Sequence, residues 1–252
     1  AVTGNGGVTL VADNISIGAA VNAGTNAVNL KQKSTSTSIN LGAADSAGVL
    51  GLLDSELDLV SATSIFIGDL TSGGITISAP IDSPANSAKI TALYAGSGKS
   101  IAFTGNGSFD AKTGDIAFIT DYNAGGAIVG GSATFDVAGA TVSLRAGSGG
   151  VGTAGNPIVV QSTYFNSISG GNSNQFVSAV GSTTIDAATL SAGTGTIELD
   201  GGTFVADSGH ITPASTINVS GATLTIGVNG DTVGGLKLTS GSVTGTSGVL
   251  TS

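Results

Sequence analysis

Residues 216–227, TINVSGATLTIG, alternate apolar and polar side chains in two short runs, Ile217-Asn218-Val219 and Leu224-Thr225-Ile226, separated by the small residues Ser220-Gly221-Ala222. Alternation with a period of two marks a half-buried strand, and small residues between two such runs mark a bend. Each run offers only two side chains to a core, too few to hold a strand alone, so the pattern requires neighbouring copies stacked upon it. Copies occur along the chain. A run beginning with an aliphatic residue or Phe is followed seven or eight positions later by another at Val8 and Ile15, Leu57 and Ile65, Ile101 and Phe109, Phe135 and Val142, Leu190 and Ile197, and Ile217 and Leu224. The leading runs recur at about twenty residues, from Val8 to Val28 and from Ile197 to Ile217 to Leu236, the period of one coil of a β-solenoid. The predicted fold is all-β, a parallel β-helix of about 12–13 coils of about 15–20 residues, which at about 4.8 Å per coil makes a rod of roughly 60 Å. The repeat runs from Val8 to Leu250, so residues 1–252 are read as one solenoid shaft.

The core ladder predicted from these runs is Val8, Leu10, Ile15, Ile17, Leu57, Ile65, Ile75, Ile101, Phe103, Ile116, Phe118, Phe135, Ile197, Ile217, Val219, Leu224, Ile226 and Leu236. In the first coil, residues 7–23, Asp13-Asn14 and Gly18 mark the corners, since these residues tolerate the bent or left-handed backbone of a tight turn. Residues 31–37, KQKSTST, lack apolar alternation and are expected to leave the coil as an outward loop, with a polar coil face as the alternative. Pro80 and Pro84 bracket a less regular excursion, because a missing amide donor is harmful inside a parallel ladder and harmless in a loop. Ile101-Ala102-Phe103 and Ile116-Ala117-Phe118 repeat at fifteen residues, a short coil that would set Phe103 above Phe118. Phe109 and Phe135 are expected in the same core.

Candidate chemistry is sparse. Asp54, Glu56 and Asp58 alternate with Leu53, Leu57 and Leu59, which in a strand places three carboxylates on one face. They are the sharpest metal candidate, for calcium, but carboxylates spaced along one extended face diverge, and a solvated outer face is the favoured reading. Residues 161–175 are Ser- and Asn-rich with an aromatic pair, the best candidate for a loop projecting from the shaft; Tyr164, Phe165 and Asn166 are its possible binding residues, and an irregular coil is the competing reading. His210 is the single histidine and has no Ser and Asp arrangement for a hydrolytic triad around it. Paired threonines such as Thr35 and Thr37 do not recur at coil spacing, which argues against an ice-binding array. The sequons at Asn14, Asn106 and Asn218 carry little weight in so Asn- and Ser-rich a chain.

Composition changes this picture in three ways. With 40% hydrophobic and 9% charged residues, the chain can bury a core and is unlike a disordered one. A net charge of -9 with scattered Lys and Arg repels phosphate backbones, so nucleic acid is excluded as a partner, and no apolar run is long enough to span a bilayer as a helix. Lys and Arg are missing between Arg145 and Lys237, which deprives the acidic group Asp186, Glu198, Asp200 and Asp207 of the basic residue a polysaccharide lyase would need; the chain is read as a non-enzyme without cofactor. Cysteine is absent, which rules out disulfides, and methionine is absent, which implies a processed product or a fragment of a longer repetitive protein.

Residues 138–161, AGATVSLRAGSGGVGTAGNPIVVQ, together with residues 7–30, GVTLVADNISIGAAVNAGTNAVNL, and the closing GATLTIGVNG and GSVTGTSGVLTS, resemble the repeat region of filamentous-haemagglutinin-like exoproteins, the adhesins of two-partner secretion. The resemblance extends over most of the chain. It implies a right-handed parallel β-helix, a bacterial extracellular or cell-surface location, and a stalk that mediates adhesion or cohesion between cells or within a matrix. The partners it implies are further repeats of the same protein, identical chains, or a host or neighbour-cell glycan or protein. The secretion-directing N-terminal domain of that family, with its Asn-containing motifs, has no counterpart here, so the resemblance is to the shaft alone. A self-assembling filament or surface-layer subunit is the alternative, and a polysaccharide-active β-helix enzyme a minor one.

Overall fold

The computed structural model describes residues 1–4, 6–83, 90–245 and 247–251. The chain winds as a parallel β-solenoid of about ten turns, with one single-turn helix, Asp54–Leu57, among the described residues. Among the described residues every pairing between the strands is parallel, as stacking of successive coils demands.

Three ladders run along the solenoid. The first stacks Val8–Val11, Ala27–Lys31, Ser64–Gly68, Ile90–Tyr94, Asp115–Ile119, Val137–Ala146, Ile158–Ser169 and Thr184–Ser191. The second stacks Ser38–Leu41, Ile75–Ile77, Ile101–Phe103, Ala127–Val129, Gly150–Val151, Gln175–Ala179, Thr196–Asp200, Thr216–Ile226 and Gly235–Gly245. A third joins Pro80–Asp82 and Ser108–Asp110 to the leading residues of Val137–Ala146 and Ile158–Ser169, two long strands that bend from one ladder into the next. Pro80 is therefore the first residue of a ladder strand, a position that tolerates the missing amide; Pro84 lies outside the described residues.

The alternation seen in the sequence sets which side chains enter. Asp115–Ile119 buries Ile116 and Phe118 and leaves Asp115, Ala117 and Ile119 half-buried on the outer face. Down the first ladder, Leu30, Ile67, Leu93, Phe118 and Leu144 form one continuous apolar column in register. Each fully buried large side chain contributes about 1.5–3 kcal/mol relative to exposure, which compensates the ordering of coils that have no core of their own. Val8, Ile15, Ile17, Leu57, Ile65, Ile75, Ile101, Phe103, Ile116, Phe118, Ile197, Ile217, Val219, Leu224 and Ile226 are all buried, and Leu10 packs half-buried against them.

Several expectations are corrected. The turns are fewer and longer than predicted: equivalent residues are separated by 37 positions from Val28 to Ile65, by 26 from Ile116 to Val142, and by 19 from Leu224 to Val243. About ten turns make roughly 48 Å of rod instead of 60 Å. Phe103 does not lie above Phe118; its ladder partner is Ile77, whereas Phe118 pairs with Leu93 and Leu144. The two rings meet across the core from different ladders, edge to face with centroids 5.4 Å apart. Phe135 leaves the core ladder. Asp136, fully buried, accepts the amides of Gly131 at 2.7 Å and Val159 at 2.8 Å, which pins residues 131–136 as a bend and gives the place beside Phe109 to Val137. Leu236 is in register with Ile217 but 46% exposed, because no strand stacks on its far side among the described residues. Residues 33–36 form a turn outside the ladder, tied to the previous corner by Asp13, which accepts the amides of Lys33 and Ser34.

Candidate interaction surface

The acidic comb is not a comb. Asp54, Glu56 and Asp58 lie on and beside the helix Asp54–Leu57, where alternate positions point to different sides. Leu57 faces the core from it, while Glu56 reaches back to the amide of Leu53 at 3.0 Å and accepts the amide of Ile17 at 2.9 Å. That second bond helps to explain how Ile15 and Ile17 are buried without lying on a strand: the acceptor offered to Ile17 comes from a side chain of the helix and not from a ladder. Asp54 accepts the amide of Asp82 at 2.9 Å; burial pushes its carboxyl above the ordinary value, the Asp82 amide opposes this, and the Asp58 and Asp82 carboxylates add to it. No three Asp, Glu or His side chains converge for a metal among the described residues.

The projecting loop is also absent from where the sequence placed it. Residues 161–169 belong to the strand Ile158–Ser169, in which Phe165 is fully buried between Val142 and Ala187, while Tyr164 is 49% exposed and Asn166 half-buried. Adjacent aromatic residues on a strand necessarily face opposite ways, one into the core and one to the surface. Asn166 donates to Ser143 on the preceding coil at 3.3 Å.

What Tyr164 and Asn166 join is an outer face built by the first ladder. In register along it lie Phe66, Ala92, Ala117, Ser143 and Asn166, and beside them Tyr94, Ile119, Arg145 and Ile168. The Phe66 and Tyr94 rings are 6.3 Å apart, the Arg145 guanidinium sits 5.4 Å over the Tyr122 ring, and Leu70 is 62% exposed at the edge. The alternation rule assigns one face of each strand outward, but an outward position holding Phe, Tyr or Ile reads in sequence like a second core position.

At one edge of this face Asp69 organises a polar cluster. It accepts from the Thr71 amide at 2.8 Å, the Thr71 hydroxyl at 2.6 Å, Gln32 at 2.9 Å and Lys31 at 3.1 Å, and the hydroxyl of Ser72 donates to Gln32 at 2.7 Å. Burial pushes the Asp69 carboxyl up, but these donors together outweigh it and hold the group well below the usual carboxylate range. The cluster locks a corner across two coils.

A hollow of about 360 Å³ opens where the third ladder passes into the first, lined among others by Asp110, Lys112, Phe135, Gln161, Ser162 and Thr184. Lys112, in a left-handed backbone conformation (φ 54°), pairs with Asp110 at 2.7 Å and Asp82 at 3.0 Å. The hydrogen bonds that its ammonium donates to Asp110 and Asp82 raise its pKa, so it stays charged. Ser162 is 5% exposed, and its hydroxyl has no hydrogen-bond partner among the described residues. Phe135, displaced from the core by the Asp136 bend, forms the apolar wall. The hollow draws on residues from four successive coils, and no local motif announces it.

Further along, hydroxyls do recur at coil spacing: Thr184, Thr203, Thr223 and Ser242 are in register, with Thr223 and Ser242 3.0 Å apart. The last long strand, Gly235–Gly245, exposes Leu236 and Leu238. His210 lies 3.7 Å from Asp186, half-buried, with its Nδ1 accepting the Asp207 amide at 3.1 Å. Comparison of the chain with protein-family models, with curated proteins and with solved structures finds no match.

Proposed function

We propose that this chain is a shaft segment of an extracellular bacterial adhesin of the filamentous-haemagglutinin-like type, a non-catalytic rod that holds binding surfaces away from the cell and mediates adhesion or cohesion. The observation that supports this best is the unbroken stacking of the first ladder from Val8–Val11 to Thr184–Ser191, with an outer face that carries aromatic and aliphatic side chains in register. A rod in which each coil bonds to both neighbours is stiff, and the half-buried Phe66, Tyr94, Ile119 and Ile168 on its outer face offer area for contact without long, mobile side chains. Partners in this reading are further repeats of the parent protein and a glycan or protein of the opposing surface. Electron microscopy of the purified chain together with its adhesion to epithelial and bacterial cell surfaces is the test: separate rods of roughly 48 Å that coat such surfaces are expected, and rods with no affinity for any of them would remove the adhesin reading.

The exposed rung Leu236 and Leu238 favours a second reading, a subunit that stacks end to end into a filament. Filaments with an axial repeat close to one chain length would select it.

A further inference from the structure

We propose that the hollow beside Lys112 binds a neutral pyranose unit of a glycan. The inference gives the adhesin reading a ligand class and rests on that reading only for its biological meaning, since binding itself can be measured on the isolated chain.

Size and rigidity come first. At about 360 Å³ the hollow falls in the range of small-molecule sites, roughly 300–1,000 Å³, and its floor is ladder backbone that need not be ordered on binding. Charge then selects the ligand. One ammonium, Lys112, stands between two carboxylates, Asp110 and Asp82, so the local balance is negative and a phosphate, sulfate or uronate would be repelled. A metal cation is disfavoured as well, because Lys112 already occupies the position between the carboxylates. A neutral ligand remains, and it must satisfy both donors and acceptors.

The lining asks for hydroxyls. Gln161 and Thr184, both exposed, offer donor and acceptor atoms together, and Asp110 is an acceptor next to the Lys112 donor. Vicinal sugar hydroxyls present the same mixture of donor and acceptor at neighbouring atoms. Phe135 supplies the complement to a pyranose ring's other character, its apolar C–H face, and being half-buried it has area left to cover.

The test is titration of the full chain with methyl galactoside, methyl glucoside, methyl mannoside and N-acetylglucosamine, followed by saturation-transfer NMR and calorimetry, with glucuronate and glucose 6-phosphate as anionic counterparts. Binding of at least one neutral sugar is expected, with the anionic counterparts weaker by about tenfold or more. Gln161→Ala and Thr184→Ala alter exposed side chains and should each weaken binding about tenfold with unchanged thermal stability. Phe135→Ala should abolish it. The proposal is overturned if no neutral sugar binds, if the anionic sugars bind as well, or if Gln161→Ala and Thr184→Ala together leave affinity unchanged. Sugar binding by a chain that adheres to no cell surface would support the hollow and remove the adhesin reading; adhesion without sugar binding would do the reverse.

Discussion

Glu56 accepts the backbone amide of Ile17 at 2.9 Å across 39 residues of sequence, and with its other oxygen the amide of Leu53 at 3.0 Å. One carboxylate thus stands in for the missing ladder strand between the first coil and the helix above it. Glu56→Ala leaves both amides without that acceptor and is expected to cost about 1–3 kcal/mol in urea unfolding. Glu56→Gln, which keeps one acceptor oxygen, should recover part of the loss.

Phe118 and Phe135 test the corrected core. Phe118 is fully buried and meets Phe103 and Phe109 edge to face at 5.4 and 6.4 Å, so Phe118→Ala should cost about 3–5 kcal/mol. Phe135 is half-buried on a bend, and Phe135→Ala should cost less than half as much. Equal losses in parallel denaturation curves would return Phe135 to the ladder.

Coil contact is close enough at some corners to exclude any side chain. A Cβ at Gly96 would overlap the carbonyl oxygen of Ser72, whereas one at Gly125 would meet nothing within 4 Å. Gly96→Ala is expected to lower the melting temperature by several degrees or prevent folding, and Gly125→Ala to leave it unchanged or slightly raised through the unfolded chain.

Asp69 predicts an acid dependence. Its folded-state pKa is depressed below the ordinary 3.8, so the unfolded chain takes up this proton first as pH falls. The stabilisation is complete above pH 3.8 and is lost progressively below it as the folded value is approached. Asp69→Asn should lower the melting temperature by a few degrees at pH 7, and the gap between variant and parent should close on acidification below that value. A gap independent of pH would show that the carboxylate's charge plays no part in the corner.

Leu236 and Leu238, 46% and 55% exposed, carry the filament reading. Leu236→Glu with Leu238→Glu should leave the melting temperature nearly unchanged and abolish concentration-dependent growth in sedimentation velocity. Growth that persists in this variant would place self-association elsewhere on the rod.

Alternation was legible because a strand that buries one face writes a period of two directly into the sequence, as at Ile217-Asn218-Val219 and Ile65-Phe66-Ile67. The winding was less so. Strands on different ladders carry the same pattern, so Ile101 and Ile116, fifteen positions apart, looked like successive coils, although each pairs with residues 25 to 27 positions away. Asp54, Glu56 and Asp58 misled for a related reason: a single helical turn is too short to show its own period, and only the reach of Glu56 back to Leu53 betrays it. Tyr164 and Phe165 suggested a loop because neighbouring aromatic residues in a Ser- and Asn-rich stretch resemble no half-buried strand; the structure satisfies both by giving each a face. The hollow beside Lys112 was invisible, since residues 110 to 184 meet there only when four successive coils are stacked.

The shortening of the turns, from 26 residues in the middle of the rod to 19 near Leu224, has a mechanical meaning. Every turn adds the same axial rise, yet holds a different reserve of chain. Pulled along its axis, a peeled turn releases roughly 90 Å of contour from the 26-residue coils and roughly 65 Å from the 19-residue ones. A tethered molecule of this design is an extensible spring whose give per step depends on which end lets go first.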